Sequence, residues 1–304
     1  MTEARGSISR MEQRQFPNGS ALAQRIGRSA VKVLCYLVPL LPRGRGAVPR
    51  FFGKALGPIH FTLRSAQGLE LPVNTACLDS YVFMLNQERG WVDDVLRTCS
   101  ASMEGRHVMY DVGAHLGYVG LHLAHSRPDA QVIAFEPQPS LADTLRQTIS
   151  LNKLENVTVA QYLISDADSD SAIIYIPAHL GQASHIWSKH CRSVSTSMRT
   201  LDTLALRDKV IPLPDLIKID VEGAELEVLR GAQGIVATSS PVIIFEHNAC
   251  SLRYGYTLSD IASLLNTCGR YTLFGLKGYS LVTLVPSEMP SRASTFNDFV
   301  AIPS

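Results

Sequence analysis

Five acidic residues stand at or just after the ends of apolar segments that are typical of β-strands. They are Asp111, Glu136, Asp166, Asp220 and Glu246. In an open α/β sheet, ligands bind in the crevice beyond the carboxyl ends of the strands. Five carboxylates at one edge of such a sheet would form an anionic rim, which suits a positively charged ligand.

The first of these acids begins a glycine turn. An apolar strand pattern runs from Val108 to Asp111, Gly113 and Gly117 follow, and an apolar helical pattern comes next. Glycine lets the backbone approach a ligand, and a helix start offers unpaired N–H groups. A dinucleotide fold has G-x-G-x-x-G here, but Asp111 takes the place of the first glycine. An acid there would repel a pyrophosphate. The pattern therefore favours S-adenosylmethionine (SAM), which carries an ammonium and a sulfonium, over NAD.

The spacing assigns cofactor contacts to particular side chains. Glu136 follows Gly113 by 23 positions, about the spacing at which a carboxylate meets a ribose diol. Asp166 is expected to accept a hydrogen bond from the adenine amino group. Asp111 and the glycine turn are expected to hold the methionine end. His115 either contacts the SAM carboxylate or a substrate, or it bonds within its own turn.

Several motifs occur in an order that resembles the FkbM-type methyltransferase family. They are Asp111-Val-Gly-Ala-His-Leu-Gly117, Phe135-Glu-Pro137, Ser165-Asp166, Leu216-Ile-Lys-Ile-Asp-Val-Glu-Gly-Ala-Glu-Leu-Glu-Val-Leu-Arg-Gly231 and Phe245-Glu246. The resemblance covers roughly residues 60 to 303, and the block 218–225 is its most specific part. The family usually has Asn where this chain has His115. The resemblance implies a Rossmann-like class I methyltransferase fold, with a seven-stranded, mostly parallel sheet and helices on both faces.

The resemblance also implies a reaction. Members of this family transfer a methyl group from SAM to a hydroxyl of a sugar, of a glycolipid-linked sugar or of a polyketide-type product. Two alternatives stay open. One is an NAD-dependent oxidoreductase on a similar sheet, which the missing first glycine disfavours. The other is a methyltransferase-like module that binds a partner without performing chemistry.

The block 218–225 and the strand that follows it hold the candidate catalytic residues. Asp220 lies at a strand end, where it is expected to face the sulfonium side of the cofactor and to contact it. Glu222 lies at a helix start, where it either takes part in the reaction or caps the helix and neutralises its dipole. His247 is the first candidate for the general base, because the pKa of an imidazole is matched to that task. Lys218 lies in an apolar strand, so burial would require an acidic partner. Glu225 is expected on a helix surface.

A metal-assisted variant of the reaction is also possible. Asp220, Glu246 and Asn248 could supply oxygen ligands to one Mg²⁺ ion, which would lower the pKa of a substrate hydroxyl. Three possible ligands are weak support, so the prediction names no metal ligands. No zinc pattern is present, because the six cysteines include no C-x-x-C pair.

Charge and cysteine content limit the partners and the compartment. Residues 1–50 carry nine Lys or Arg against two Glu, a balance of +7, so the rest of the chain carries −6. An acidic domain without a basic stripe is a poor nucleic-acid binder. Scattered cysteines indicate reduced thiols and a cytoplasmic location.

Two regions are predicted. Residues 1–57 form a basic segment with an amphipathic helix near 20–38 and a Pro/Gly-rich link, and residues 58–304 form the methyltransferase domain. The helix either rests on anionic lipid as a peripheral membrane contact or packs on the domain. The packed arrangement is favoured, since such apolar stripes usually make core contacts.

The elements follow from apolar periodicity. A hairpin is expected near 60–73, and strand candidates in the sheet are 107–111, 131–136, 157–164, 215–221, 241–246, 270–276 and 297–302. Acceptor selectivity is assigned to a loop at 178–195, which holds Trp187 and three histidines, with residues 60–106 as the other wall. An aromatic ring beside hydrogen-bonding groups suits a sugar.

Overall fold

The computed structural model describes residues 20–41, 47–57, 59–75, 78–87, 91–177, 191–278, 280–284 and 296–304. The helices are α1 (Ala21–Leu37), α2 (Ala47–Leu56), α3 (Leu78–Gln87), α4 (Trp91–Ser102), α5 (Gly120–Ser126), α6 (Pro139–Asn152), α7 (Glu225–Arg230), α8 (Gln233–Ser239) and α9 (Leu258–Cys268). Short 3₁₀ turns cover Val38–Leu40 and Ser251–Tyr254, and a π-helical turn covers Thr203–Arg207.

The strands form three sheets. They are β1 (His60–Arg64), β2 (Glu70–Asn74), β3 (Val108–Val112), β4 (Gln131–Phe135), β5 (Val157–Ala160), β6 (Leu163–Ile164), β7 (Ser169–Pro177), β8 (Cys191–Arg199), β9 (Leu216–Ile219), β10 (Val242–Glu246), β11 (Tyr271–Lys277), β12 (Ser280–Thr283) and β13 (Asp298–Pro303). The main sheet has the order β12-β11-β13-β10-β9-β3-β4-β5, while β1 pairs with β2 and β6-β8-β7 form a third sheet.

The central strands of the main sheet are parallel, and helices cover both of its faces. Leu96 of α4 and Leu123 of α5 pack on one face, and Leu229 of α7, Val236 of α8 and Ile261 of α9 pack on the other. Strands buried on both faces are typical of parallel sheets. The Rossmann-like α/β class is confirmed, and six of the seven predicted strands are found in the main sheet close to their predicted bounds. The strand predicted at 157–164 is instead divided into β5, which belongs to the main sheet, and β6, which belongs to the third sheet.

The main sheet has one strand more than the seven expected. The additional strand is β12, which pairs antiparallel with β11 at the edge of the sheet, and β11 in turn pairs with β13. The third sheet was not predicted, because β7 and β8 are rich in serine and lack regular apolar alternation. Residues 191–195, predicted as loop, belong to β8.

The register of the parallel strands determines where the site lies. Val112 of β3 is level with Phe135 of β4 and Ile219 of β9, and Ile219 is level with Phe245 of β10. The residue that comes after each of these four level residues therefore lies at the same edge of the sheet. This register brings Glu136, Asp220 and Glu246 to one edge.

The hairpin β1–β2 and helix α1 pack together beside the main sheet. Val31, Leu34 and Val38 share one apolar cluster with Phe61 and Leu71. The predicted boundary near residue 57 stays a prediction. Within the described residues, we found no helix that combines the length and the apolar character needed to span a membrane.

Candidate active site

A cavity of about 420 Å³ lies at the carboxyl edge of β3, β4, β9 and β10. Its wall includes the glycine turn, the acids Glu136, Asp220, Glu222 and Glu246, and Lys218. Its volume is within the range of small-molecule and cofactor sites.

The glycine turn is locked to the neighbouring strand by its own amides. The N–H groups of Gly113 and Ala114 both donate to the Phe135 carbonyl at 3.0 Å, and the His115 N–H donates to Glu136 Oε2 at 2.9 Å. Gly113 has φ +78°, and a Cβ there would overlap the Asp220 carbonyl oxygen. Only glycine allows β3 and β9 to approach so closely at this edge.

Glu136 is buried in the cavity wall, and each of its oxygens accepts one backbone hydrogen bond. Oε2 accepts from His115 and Oε1 accepts from Gln138, each at 2.9 Å. A carboxylate oxygen can accept two hydrogen bonds, so each retains one acceptor position. Burial raises the pKa of Glu136 to about 7, with a further contribution from the charge of Asp111.

Asp111 lies beneath the turn and does not line the cavity. Its Oδ2 accepts from the Gly120 N–H at 3.0 Å, and its Oδ1 lies 3.1 Å from Lys218 Nζ. Asp111 was predicted to contact the methionine end, but it precedes the last residue of β3, and its buried side chain points toward α5 and not into the cavity. Its side chain instead anchors the start of α5.

Lys218 pairs with acids, as its place in an apolar strand required. Its Nζ lies 3.1 Å from Asp111, 3.4 Å from Asp220 and 3.4 Å from the Gly113 carbonyl. Burial alone would lower the pKa of Lys218, but Asp111 and Asp220 hold it above its ordinary value. The lysine stays charged and holds Asp220 at the cavity wall.

His115 and Glu222 line the cavity, and both have a positive φ angle, which is unusual for residues other than glycine. Their φ angles are +52° and +58°. Such residues are uncommon outside turns and functional sites. Burial lowers the pKa of His115 to about 4, so this imidazole is neutral at physiological pH.

Glu225 is buried, which corrects the prediction that it lies on a helix surface. Its Oε1 accepts from the Gly223 N–H at 3.0 Å, and its Oε2 accepts from the hydroxyls of Tyr256 and Ser251 at 2.5 and 3.2 Å. It thus ties the loop after β9 to the segment that follows β10. The position of Glu225 in the sequence, three residues after Glu222, did not indicate this role.

The acids at the cavity form a cluster that burial and mutual repulsion destabilise. Burial raises the pKa of Glu246 to about 9, and the charges of Asp220 and Glu222 contribute to the rise. Among the described residues, we found no group of three His, Cys, Asp or Glu side chains arranged to hold a metal ion. The magnesium set Asp220, Glu246 and Asn248 includes an amide and stays a prediction.

His247 points away from the cavity. Its imidazole is buried against Tyr256 and Phe299, with ring centroids 5.6 and 6.2 Å away, and burial lowers the pKa of His247. Glu246 and Asn248 line the cavity, while His247 between them does not. The structure therefore does not bring His247 together with Asp220 and Glu222.

Two more predicted contacts lie outside the cavity wall. Gly117 packs inside the fold, where a Cβ would meet Leu145 and Leu121 at 2.5 and 2.6 Å. Asp166 is exposed beyond β6, and the hydroxyl of Ser165 donates to it at 3.4 Å. The residues that line this end of the cavity are instead Tyr162, Leu163 and Ile164, and only their apolar character marked them in the sequence.

The two predicted acceptor walls have different outcomes. Ser80, Phe83 and Met84 of α3, which belong to the predicted wall 60–106, line the cavity, and their contact with an acceptor stays a prediction. Residues 178–190, with Trp187 and the three histidines, lie outside the described residues. Asn297 also lines the cavity, and no sequence motif pointed to it.

The sequence profile of the family described as "Methyltransferase FkbM domain" matches residues 111–270. This match spans more than half of the chain and includes the glycine turn, Glu136 and the acid cluster. The chain belongs to the FkbM methyltransferase family. The similarity stated from the motifs alone is thereby confirmed.

Two named relatives of this FkbM-family chain are methyltransferases. It is 30% identical over 178 residues to the hexuronic acid methyltransferase AglP of Haloferax volcanii, covering 57% of this chain and 67% of AglP. It is 26% identical over 161 residues to methyltransferase sdnD of Sordaria araneosa, covering 43% of this chain and 62% of sdnD.

A solved structure in the same family is also similar. The methyltransferase FkbM of Methylobacillus flagellatus is 16% identical, with a TM-score of 0.41, and the match covers 74% of this chain and 54% of that chain. The chain thus spans roughly half to two thirds of the length of these relatives.

Proposed function

We propose that this protein is a SAM-dependent O-methyltransferase that acts on a hydroxyl of a sugar, free or carried on a lipid. Membership of the FkbM family supports methyl transfer. The similarity to a hexuronic acid methyltransferase supports a sugar acceptor over a polyketide-type product. The proposal rests mainly on two features of the cavity. One is the carboxylate of Glu136, and the other is the glycine turn, whose N–H groups already donate hydrogen bonds to Phe135 and Glu136.

The cavity fits a cationic cofactor better than a diphosphate. A pyrophosphate at a glycine turn is held by backbone N–H groups. Here the amides of residues 113–115 donate to Phe135 and Glu136, and the nearby wall carries the acids Asp220 and Glu222. An anionic wall favours the ammonium and sulfonium of SAM and disfavours NAD.

A binding experiment separates the two cofactors. Isothermal titration calorimetry should detect SAM and S-adenosylhomocysteine binding, and no binding of NAD or NADH at the same concentrations. Methyl-labelled SAM incubated with a panel of hexuronic acids, neutral sugars and glycolipids should then label an acceptor. Binding of NADH but not SAM would contradict the proposal. SAM binding without any labelled product would favour the non-catalytic module.

Glu136→Ala is expected to weaken SAM binding by about 1–3 kcal/mol, the usual cost of losing hydrogen bonds to a charged group. The remaining acceptor position on each Glu136 oxygen would serve the two ribose hydroxyls. Calorimetry measures the change. Glu136→Gln tests whether the charge is needed, since the amide keeps the size but only one acceptor oxygen. SAM binding by Glu136→Ala equal to that of the parent would show that the ribose is held elsewhere.

SAM affinity is expected to rise with pH in the neutral range. The pKa of Glu136 is raised to about 7 by burial, and ribose hydroxyls donate to the ionised form. Below this pKa, binding must first remove a proton, which costs up to about 1.4 kcal/mol per pH unit. The affinity should therefore increase roughly tenfold from about pH 6 to about pH 8. Calorimetry across this range checks it, and a flat profile in the parent would contradict it.

SAM, when bound, supplies an electrophilic methyl group, and the chain must supply a base for the acceptor hydroxyl. An alcohol is a weak nucleophile until its proton is being removed. We assign this proton transfer to Glu246, because it lines the cavity and its raised pKa makes it a stronger base than an ordinary carboxylate. Asp220 and Glu222 line the same wall, and Lys218 positions Asp220. In this proposal Glu246 is the general base in place of His247, which was the first candidate from the sequence and is buried.

The acceptor is assigned to the part of the cavity lined by α3 and by the loops after β10 and before β13. Phe83 supplies an aromatic surface, and the side chains of Ser80, Asn248 and Asn297 supply hydrogen-bonding groups. A sugar ring is bound by this combination of one apolar face and several polar groups.

A further inference from the structure

Helix α1 has two apolar faces, and only one of them packs on the protein. Gly27, Val31 and Leu34 are buried against the β1–β2 hairpin region, and a Cβ on Gly27 would overlap the Phe61 ring. The Nε of Arg28 donates to the Thr62 carbonyl at 2.8 Å. These contacts explain one face of the helix and hold it in place.

The opposite face of α1 is apolar and exposed. Its side chains and those of the following 3₁₀ turn form what we call the apolar stripe: Leu22, Ile26, Val33, Tyr36, Leu37 and Leu40, each 43–74% exposed. These are six of the fourteen large apolar residues found exposed among the described residues. A helix that only packs on its own domain carries polar residues on its outer face. Concentrated apolar exposure marks an interaction surface.

Basic residues flank the apolar stripe. Arg25, Arg28 and Lys32 are exposed on α1 and follow one side of the stripe at helical spacing. From residue 13 to residue 69 the chain carries nine Lys or Arg and no Asp or Glu. An apolar stripe flanked by cations is complementary to an anionic bilayer, which offers phosphate groups at its surface and acyl chains just beneath.

A second copy of the chain is a poorer match for this surface. A two-fold interface brings the same patch of both copies together, so the two rows of cations would approach each other without acids between them. Juxtaposed like charges at an interface are strongly unfavourable. We propose that the apolar stripe and its basic flank dock on anionic membrane surfaces, with α1 lying flat in the headgroup region.

The docking surface adjoins the cavity through α3. This helix contacts both α1 and α2, and its Phe83 is half-exposed while also lining the cavity. A docked chain would therefore hold the mouth of the cavity near the membrane surface, within reach of a lipid-borne sugar. That consequence depends on the proposed function, whereas docking itself needs neither SAM nor an acceptor.

Vesicle flotation without SAM tests the proposal. The full chain should float with vesicles of equal parts phosphatidylcholine and phosphatidylglycerol, and much less with phosphatidylcholine alone. Raising the salt concentration should release part of the bound protein, because salt screens the exposed basic flank. Failure of the chain to float with the anionic vesicles would overturn the proposal and leave the proposed function untouched.

Three double variants locate the surface. Tyr36→Ser with Leu40→Ser shortens the apolar stripe, and Arg25→Glu with Lys32→Glu reverses part of the flank. Each pair should reduce vesicle binding about tenfold or more. Val210→Ser with Leu213→Ser removes comparably exposed apolar groups elsewhere and should have no effect. Circular dichroism and thermal unfolding confirm that each variant folds.

Two results would contradict this assignment of the surface. Equal flotation of all three folded variants would place the membrane contact elsewhere. A concentration-dependent dimer in light scattering that is lost in the stripe variant, without vesicle binding by the parent, would assign the stripe to a second copy.

Discussion

Glu246→Gln is expected to lower the rate of methyl transfer by about 10²- to 10⁴-fold, the range associated with loss of a general base. Glutamine keeps the size of the side chain but cannot accept a proton. Burial and the charges of Asp220 and Glu222 raise the pKa of Glu246 to about 9, so its ionised form binds a proton strongly. Single-turnover assays with labelled SAM measure the rate, and calorimetry should show that SAM affinity changes little.

The pH dependence of the reaction gives a second test of Glu246. Its raised pKa means that the base form increases as pH rises, so the parent rate should increase with pH on its acidic side. A bound sulfonium lowers the pKa of a nearby carboxyl group, so with SAM bound the midpoint should lie below about 9. Glu246→Gln should remove this limb of the profile.

Two other variants separate the candidate bases. His247→Leu keeps an apolar group against Tyr256 and Phe299 and should retain the parent rate, because this side chain does not line the cavity. Glu222→Gln is expected to have a smaller effect than Glu246→Gln. A slow but folded His247→Leu would return the base role to the imidazole. A near-normal rate in Glu246→Gln with an inactive Glu222→Gln would move the role to Glu222.

Lys218→Met is expected to destabilise the fold by about 3–5 kcal/mol, the usual cost of removing one partner from a buried ion pair. Lys218 Nζ lies 3.1 Å from the fully buried Asp111 and 3.4 Å from Asp220. Methionine fills a similar volume but leaves Asp111 charged and without its cation. Urea denaturation at neutral pH measures the loss.

The double variant Lys218→Met with Asp111→Asn is the matched control. Removing the acid together with the lysine leaves no buried unpaired charge, and the amide oxygen introduced at position 111 could still accept from the Gly120 N–H. The double variant should therefore recover much of the lost stability. Equal stability of Lys218→Met and the parent would show that the ion pair contributes little.

The general location of the site was predictable from the sequence because it depends on local patterns. Apolar runs that end in Asp or Glu identify strand ends, and parallel strands in one register expose those ends at one edge. Glu136, Asp220 and Glu246 were placed at the cavity in this way. The need for glycine at position 113 was also predictable, although the group that it must accommodate is the Asp220 carbonyl of the neighbouring strand.

The direction of individual side chains required the tertiary structure. The His247 N–H donates to the Asn297 carbonyl at 2.8 Å, and its ring packs against Tyr256 and Phe299, which places the imidazole outside the cavity. At a strand end, a shift of one residue exchanges the side chains on the two faces. The sequence places Glu246, His247 and Asn248 together but does not determine which of them face the cavity.

The sequence by itself determined that this chain would form an open α/β sheet with acids at the ends of its strands, because strand periodicity and glycine turns are local properties. The tertiary structure alone decided which acids face the cavity and which are buried partners. Asp111 and Glu225 have the same carboxyl group as Glu136 and Glu246. Their roles differ because a buried carboxylate must find a cation or hydrogen-bond donors, and here those groups come from segments distant along the chain.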